Sequence, residues 1–328
     1  MQYRIIPYSE ITGMSLSFWQ LPIWSTIIRE SWQAKESFYY GNIASTILSI
    51  EIRSTWLGFY WAFVIGVIGS QISTDWDDYI QNLQIFLKQK WVLFLQIEPL
   101  EILWVMNHVS WATQKPYRKF LTPFTRIIDL TPSEDQILAQ MHEKWRYNIR
   151  YAIKKWVEIE EADLTQENLD IWMNLLDETL SRDGFSWNTR KYYEIFITQI
   201  KNQSQWWLYF ARFEWRVIAA GIFVFLPDIA IYYYWASSSD IGDKKIFAPY
   251  LLQWEAMKEA KSRWIQQYDL LWIAQPGIAN DPLEWVSFFK SRFGWDIITL
   301  PEKLLFPLSW KYRVFSLLQK IKNLPYRR

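Results

Sequence analysis

The chain contains no cysteine, which excludes disulfides, thiolate metal sites and a cysteine nucleophile. It has two histidines, His108 and His142, too few for a histidine-rich metal site. Neither charge is in excess: 35 Lys and Arg stand against 34 Asp and Glu. That balance excludes a polybasic nucleic-acid tail and an acidic disordered chain. Long apolar runs are also missing. Trp56–Gly69, which contains three glycines, falls short of the about 20 residues of a spanning helix and is expected to form two buried strands. The opening MQYRIIPYSE shows no signal-peptide pattern, so a cytoplasmic location is expected. Glycine is scarce: 10 residues in 328, against 23 tryptophans, where ordinary glycine usage is about 7%.

What is present suits a globular protein. Hydrophobic residues make up 51% of 328 positions, enough for about two domains with substantial cores. Ala44–Arg53 and Trp91–Ile97 read as strands, being apolar, β-rich and bounded by turns. Thr131-Pro132-Ser133 opens a helix, with Ser133 as cap and Glu134 and Asp135 at the positive dipole end; that helix is expected to reach about Lys155. Helices follow at Thr165–Leu180 and Lys191–Ile200, then strands at Leu208–Phe213, Val217–Phe225 and Ile229–Tyr234. A helix at Pro249–Ser262, with Pro in its first turn, precedes a strand at Tyr268–Ile273. This order indicates α/β domains with mixed, mostly antiparallel sheets.

The tryptophans stand where glycine chemistry is needed. Glu214-Trp215 joins two strands in a tight turn that wants φ > 0. Lys155-Trp156-Val157 and Arg263-Trp264-Ile265 place Trp where a left-handed residue ends a helix. Trp145, Trp187, Trp207, Trp235, Trp272, Trp285 and Trp295 are further suspects, with Trp19, Trp32, Trp61, Trp91 and Trp111 behind them. An aromatic binding surface would show a stripe of period 2 or 3.6, and there is none. The expectation is an alternative genetic code: UGA codons meaning glycine, translated as tryptophan. Trp24, Trp172, Trp254 and Trp310 are expected to be genuine.

With those positions taken as glycine, MHEKWRYNIRYAIKKWVEI, IYYYWASSSD, APYLLQWEAMKEA, YDLLWIAQP and WVSFFKSRFGW resemble, in order, blocks of the FemABX family. FWQLPIW and LQIEP in the first part resemble it more weakly. The resemblance implies two acetyltransferase-like (GNAT-like) α/β domains, residues 1–130 with 301–328 and residues 131–300, in the compact form without a coiled-coil arm. It implies an aminoacyltransferase that moves an amino acid from aminoacyl-tRNA to the stem-peptide amine of a peptidoglycan precursor, nucleotide- or lipid-linked. No cofactor or metal is implied, and a monomer is expected.

The resemblance also implies a site. Lys290, paired with Phe289, matches the family lysine that stabilises the transition state. Tyr192 and Tyr234 match precursor-binding tyrosines. Two positions depart from the pattern: Asn188 replaces an arginine, with Arg190 placed to compensate, and Thr26 replaces a lysine. Independently, Arg146, Arg150 and Lys154 recur every four residues on one helix face, with Lys144 nearby. Such a stripe can meet tRNA phosphates, or simply face solvent. The basic amphipathic segment Ser309–Leu324 can touch an anionic membrane peripherally or dock on the first domain. His142 is set aside as a general base because no matched block contains a histidine. Two alternatives stand: an acyl-CoA N-acyltransferase and a non-catalytic binder of tRNA or cell-wall precursor. Against the first, Lys244-Lys245-Ile246-Phe247-Ala248-Pro249 lacks the Gly-rich pyrophosphate loop.

Overall fold

The computed structural model describes residues 3–11, 14, 16–103, 116–184, 188–201, 203–278, 281 and 283–322. His108, Trp111 and Trp187 lie outside them. The chain divides into two compact units, residues 1–121 with 300–328 and residues 122–299.

In chain order the first unit supplies β1 (Arg4–Ile6), α1 (Pro22–Glu30), β2 (Glu36–Gly41), β3 (Ile47–Ser54), β4 (Tyr60–Val67), α2 (Trp76–Gln89) and β5 (Val92–Pro99). The second supplies β6 (Phe124–Asp129), α3 (Glu134–Gln140), α4 (Glu143–Lys154), β7 (Glu158–Ala162), α5 (Gln166–Asp183), α6 (Arg190–Ile200), β8 (Trp206–Phe213), β9 (Arg216–Phe225), β10 (Ile229–Ser237), α7 (Ile241–Lys244), α8 (Ala248–Ser262), β11 (Gln267–Asp269), α9 (Glu284–Ser291) and β12 (Ile297–Thr299). The chain then returns to the first unit with β13 (Leu304–Pro307) and α10 (Lys311–Lys322).

The first sheet runs β1-β2-β3-β4-β5-β13, antiparallel except for β4 beside β5. Tyr79, Leu83 and Leu87 recur at helical spacing on α2 and bury that face in its core. The expected pair of strands in Trp56–Gly69 is the single strand β4. The returning segment is pinned by β13 pairing with β5 and by a buried ion pair between Lys303 and Glu98. Phe315 of α10 is buried against Phe94, so the C-terminal segment docks on its own unit.

The second sheet runs β12-β6-β11-β10-β9-β8-β7, antiparallel except for β10 beside β11. Helix α8 covers it with Leu251, Leu252, Ala256, Met257 and Ala260. Since β6 pairs with β11 and β12, the units divide at 121/122, nine residues before the expected boundary. The helix expected from Ser133 to Lys155 is two helices. Ser133 does form a capping box with Gln136, but the chain breaks at Met141–His142, where the His142 N–H donates to the Arg292 carbonyl at 2.9 Å. That tertiary bond outcompetes helical continuation.

Among the described residues, ten non-glycines have positive φ, and seven are tryptophan: Trp32, Trp91, Trp156, Trp215, Trp264, Trp272 and Trp295. At Trp32 the N–H reaches Arg29 O and the next N–H reaches Ile28 O; Trp156 with Val157 and Trp264 with Ile265 repeat this pattern. It is the Schellman closure, whose left-handed residue is usually glycine. Trp215 (φ +68) and Glu214 (φ +47) make the two-residue turn between β8 and β9. Trp32, Trp91, Trp156, Trp215 and Trp264 are 76–95% exposed, so their indoles gain little from packing. By contrast the backbone asks no glycine of Trp19, Trp61, Trp145, Trp207, Trp235 or Trp285. Trp24, Trp172 and Trp254 are buried in helices, whereas Trp310 is exposed.

A left-handed conformation costs a side-chain-bearing residue about 1–2 kcal/mol, and glycine's extra unfolded entropy offsets part of any gain. Trp156→Gly, Trp215→Gly and Trp264→Gly should therefore each raise stability by about 0.5–1 kcal/mol. Denaturant titration checks this, and Trp172→Gly, which empties a buried site, should do the reverse.

Candidate active site

The second unit sorts its aromatic side chains by sheet face. Strand β10 carries a bulge between Tyr232 and Tyr234, which resets the alternation of side chains. Tyr232, Trp235 and Ser237 line a cavity of about 590 Å³. Tyr234 instead packs with Trp172, Tyr193 and Phe196.

Lys290 enters the cavity wall from α9. Helix α9 is held by the Trp145 indole N–H, which donates to the Phe289 carbonyl at 3.1 Å, and by the Tyr250 and Phe293 rings on Phe289, each 5.2 Å away. Just beyond it, Gly294 has φ +98, and an added Cβ would lie 3.0 Å from the Gln140 carbonyl; only glycine allows that approach. The Lys290 side chain is 0% exposed. Its ammonium donates to Leu271 O at 2.9 Å and Trp272 O at 3.2 Å, and lies 4.9 Å from the Trp235 ring centre. Burial pushes its pKa down to about 7, and the Asp269 carboxylate opposes the shift. Asp269 is itself raised by burial, against hydrogen bonds from Thr125 and the Leu271 N–H.

The cavity rim is polar but largely self-neutralised. Arg182 donates to Asp183 at 2.7 and 3.1 Å and to the carbonyls of Ser237 and Ser238. Asp243 is paired with Arg216. Lys244, also on the rim, makes no ion pair among the described residues. Helix α8 begins at the same rim with Phe247 left-handed (φ +60) and no side-chain cap.

The expected residues fall into separate groups. Lys290 lines the cavity with half-buried Phe289. Tyr192 and Tyr234 are buried together, their hydroxyls hydrogen-bonded, beside Tyr193 and Tyr233. Burial raises the pKa of Tyr234 well above the usual phenol range, so it stays protonated. Arg190 is exposed at the start of α6 and pairs with Glu194 at 3.3 Å; Asn188 is exposed just before it. Thr26 belongs to the first unit, half-buried on α1. The cationic stripe is not intact: Arg146 donates to Ala139 O and Met141 O, ending α3, while Lys144, Arg150 and Lys154 remain exposed. His142 caps α4, its Nδ1 accepting from the Lys144 N–H. Sequence reasoning missed the cavity residues Arg182, Tyr232 and Lys244, because their convergence depends on the bulge and on α7.

The FemAB family model matches residues 111–215 and 211–320, more than half of the chain. The chain belongs to the FemAB family. Its fold, two GNAT-like α/β units, is similar to that of FemX, with 12% identity, a TM-score of 0.79 and coverage of 97% of this chain and 100% of that one. A conserved protein of unknown function from Bacteroides thetaiotaomicron follows at 12% identity and TM-score 0.61, covering 94% and 99%. L-PGS from Bacillus licheniformis follows at 15% and 0.50, covering 89% and 90%. Identities this low speak for fold alone. No curated protein sequence matches. Membership makes this FemAB chain, in general terms, an aminoacyltransferase of peptidoglycan cross-bridge formation. No described helix is long and apolar enough to cross a membrane.

Lys290 also marks stability. Its folded pKa lies below its unfolded value near 10.5, so the cost of burying the charge is fully present below about pH 7 and is relieved as pH rises toward the unfolded value. Relative to Lys290→Met, the parent protein should gain unfolding free energy between about pH 6 and pH 9, measured by urea titration at both. A pH-independent gap would contradict the assigned burial.

Proposed function

We propose that this FemAB protein transfers an amino acid from aminoacyl-tRNA to the stem-peptide amine of a peptidoglycan precursor, in the cytoplasm, by direct amine attack on the ester. The observation that carries this reading is the fully buried Lys290 ammonium, fixed by two main-chain carbonyls at the wall of a 590 Å³ cavity. The aminoacyl ester is already activated, so positioning and stabilisation of the oxyanion are the main needs. In the reaction the amine nitrogen bonds to the ester carbon, the carbon–oxygen bond to the ribose breaks, and the amine proton passes to the departing ribose oxygen. Lys290 offers its remaining N–H to the oxyanion. Lys244 and the uncapped start of α8 suit the negatively charged tRNA end. Lys144, Arg150 and Lys154 suit phosphates further along it.

On this reading Tyr192 and Tyr234 serve the precursor, and two cations of the family pattern are absent, Asn188 and Thr26 standing in their places. That loss of positive charge favours an acceptor whose phosphates are held elsewhere, such as a lipid-linked precursor.

The test is transfer of a labelled amino acid from charged tRNA to nucleotide-linked and lipid-linked precursors. Lys290→Ala should lower kcat by about 10²–10³. If Lys290 acts as the cation, kcat falls as pH rises through about 7. Arg150→Ala with Lys154→Ala should raise KM for tRNA and flatten its salt dependence while sparing kcat. Transfer from acyl-CoA, and none from charged tRNA, would overturn the proposal.

A further inference from the structure

The proposed activity leaves the side chains of the left-handed tryptophans unused. Three of them, Trp32, Trp156 and Trp264, close helices with the paired bonds of a Schellman motif. Trp91 follows the cap of α2 at φ +60, and Trp215 is the second residue of a two-residue hairpin turn. These are the positions where glycine is most strongly favoured. The chain does this itself after α5, where Gly184 takes φ +69. Tryptophan's 23 places in 328 would claim about one of the ten left-handed non-glycine residues at random; it claims seven.

We propose that residues 32, 91, 156, 215, 264, 272 and 295 are glycine in the natural polypeptide, specified by UGA codons that the cell decodes as glycine, and that Trp24, Trp172 and Trp254 are true tryptophans. At position 272 this changes the candidate site. The Trp272 carbonyl accepts from Lys290, while its indole lies 5.6 Å from the Tyr233 ring and 6.4 Å from the Tyr234 ring. Residue 272 is thus where the lysine and the tyrosine cluster meet. Glycine there removes the indole and opens a passage from the Lys290 ammonium to Tyr234. On the function proposed above, on which this consequence rests, donor ester and acceptor amine meet in that passage.

Tandem mass spectrometry of peptides from protein purified out of its native cell decides the first part. The expected result is a glycine mass at all seven positions and a tryptophan mass at Trp24, Trp172 and Trp254, with TGA and TGG codons respectively in the gene. Tryptophan masses at 156, 215 and 264 would overturn it. A crystal structure of the chain carrying Trp272→Gly with the other six glycine substitutions decides the second part. A void continuous from Lys290 to Tyr234 is expected; side chains closing over residue 272 would overturn the passage. Neither readout depends on aminoacyl transfer, so a failure of the proposed function is recognised separately.

Discussion

A buried ammonium must find oxygen, and in the second unit the left-handed backbone at Leu271 and Trp272 supplies it. Their φ values of +50 and +20 bring both carbonyls onto Lys290, just after β11 ends at Asp269. An unpaired charge at that depth would be expensive. Two carbonyls and a nearby carboxylate make it tolerable without neutralising it completely. Burial lowers the Lys290 pKa; the place of its ammonium at the cavity wall follows from this contact. So does the importance of the residue at 272, whose backbone serves Lys290 and whose side chain meets the tyrosines.

The bulge in β10 performs the second sorting. Three consecutive tyrosines would alternate faces in a regular strand. With the register shifted between Tyr232 and Tyr234, Tyr232 and Trp235 share the Lys290 cavity, and Tyr234 joins Tyr192 in a hydroxyl cluster. One short strand therefore serves two chemically distinct environments. The cluster is aromatic, hydroxylated and buried, while the cavity wall carries the Lys290 ammonium.

Much of this was legible in the chain. The capping residues Ser133 and Thr165 open their helices as their hydroxyls suggest. The alternating runs of β8, β9 and β10 lie within a residue or a few of their expected bounds, because a buried antiparallel sheet imposes its pattern on each strand separately. Helix C-termini at Trp156 and Trp264 were recognisable from the bonds a left-handed residue makes possible, even with the wrong side chain for the conformation. The break at His142 was not, because its cause is the Arg292 carbonyl, 150 residues away in sequence. Arg146 fitted a cationic stripe by spacing, but the same break exposes two carbonyls that it satisfies.

The amino-acid sequence by itself determined the fold class, several helices and strands of the second unit, the absence of thiol chemistry and the anomaly of tryptophan at glycine-like turns. These are local properties of periodicity, capping and backbone conformation. Tertiary structure alone decided that Lys290 is buried, that Tyr192 and Tyr234 stand apart from its cavity, and that residue 272 lies between them. Those facts depend on a bulge, a loop and a helix from distant parts of the chain converging on one side of a sheet, and no local pattern records that convergence.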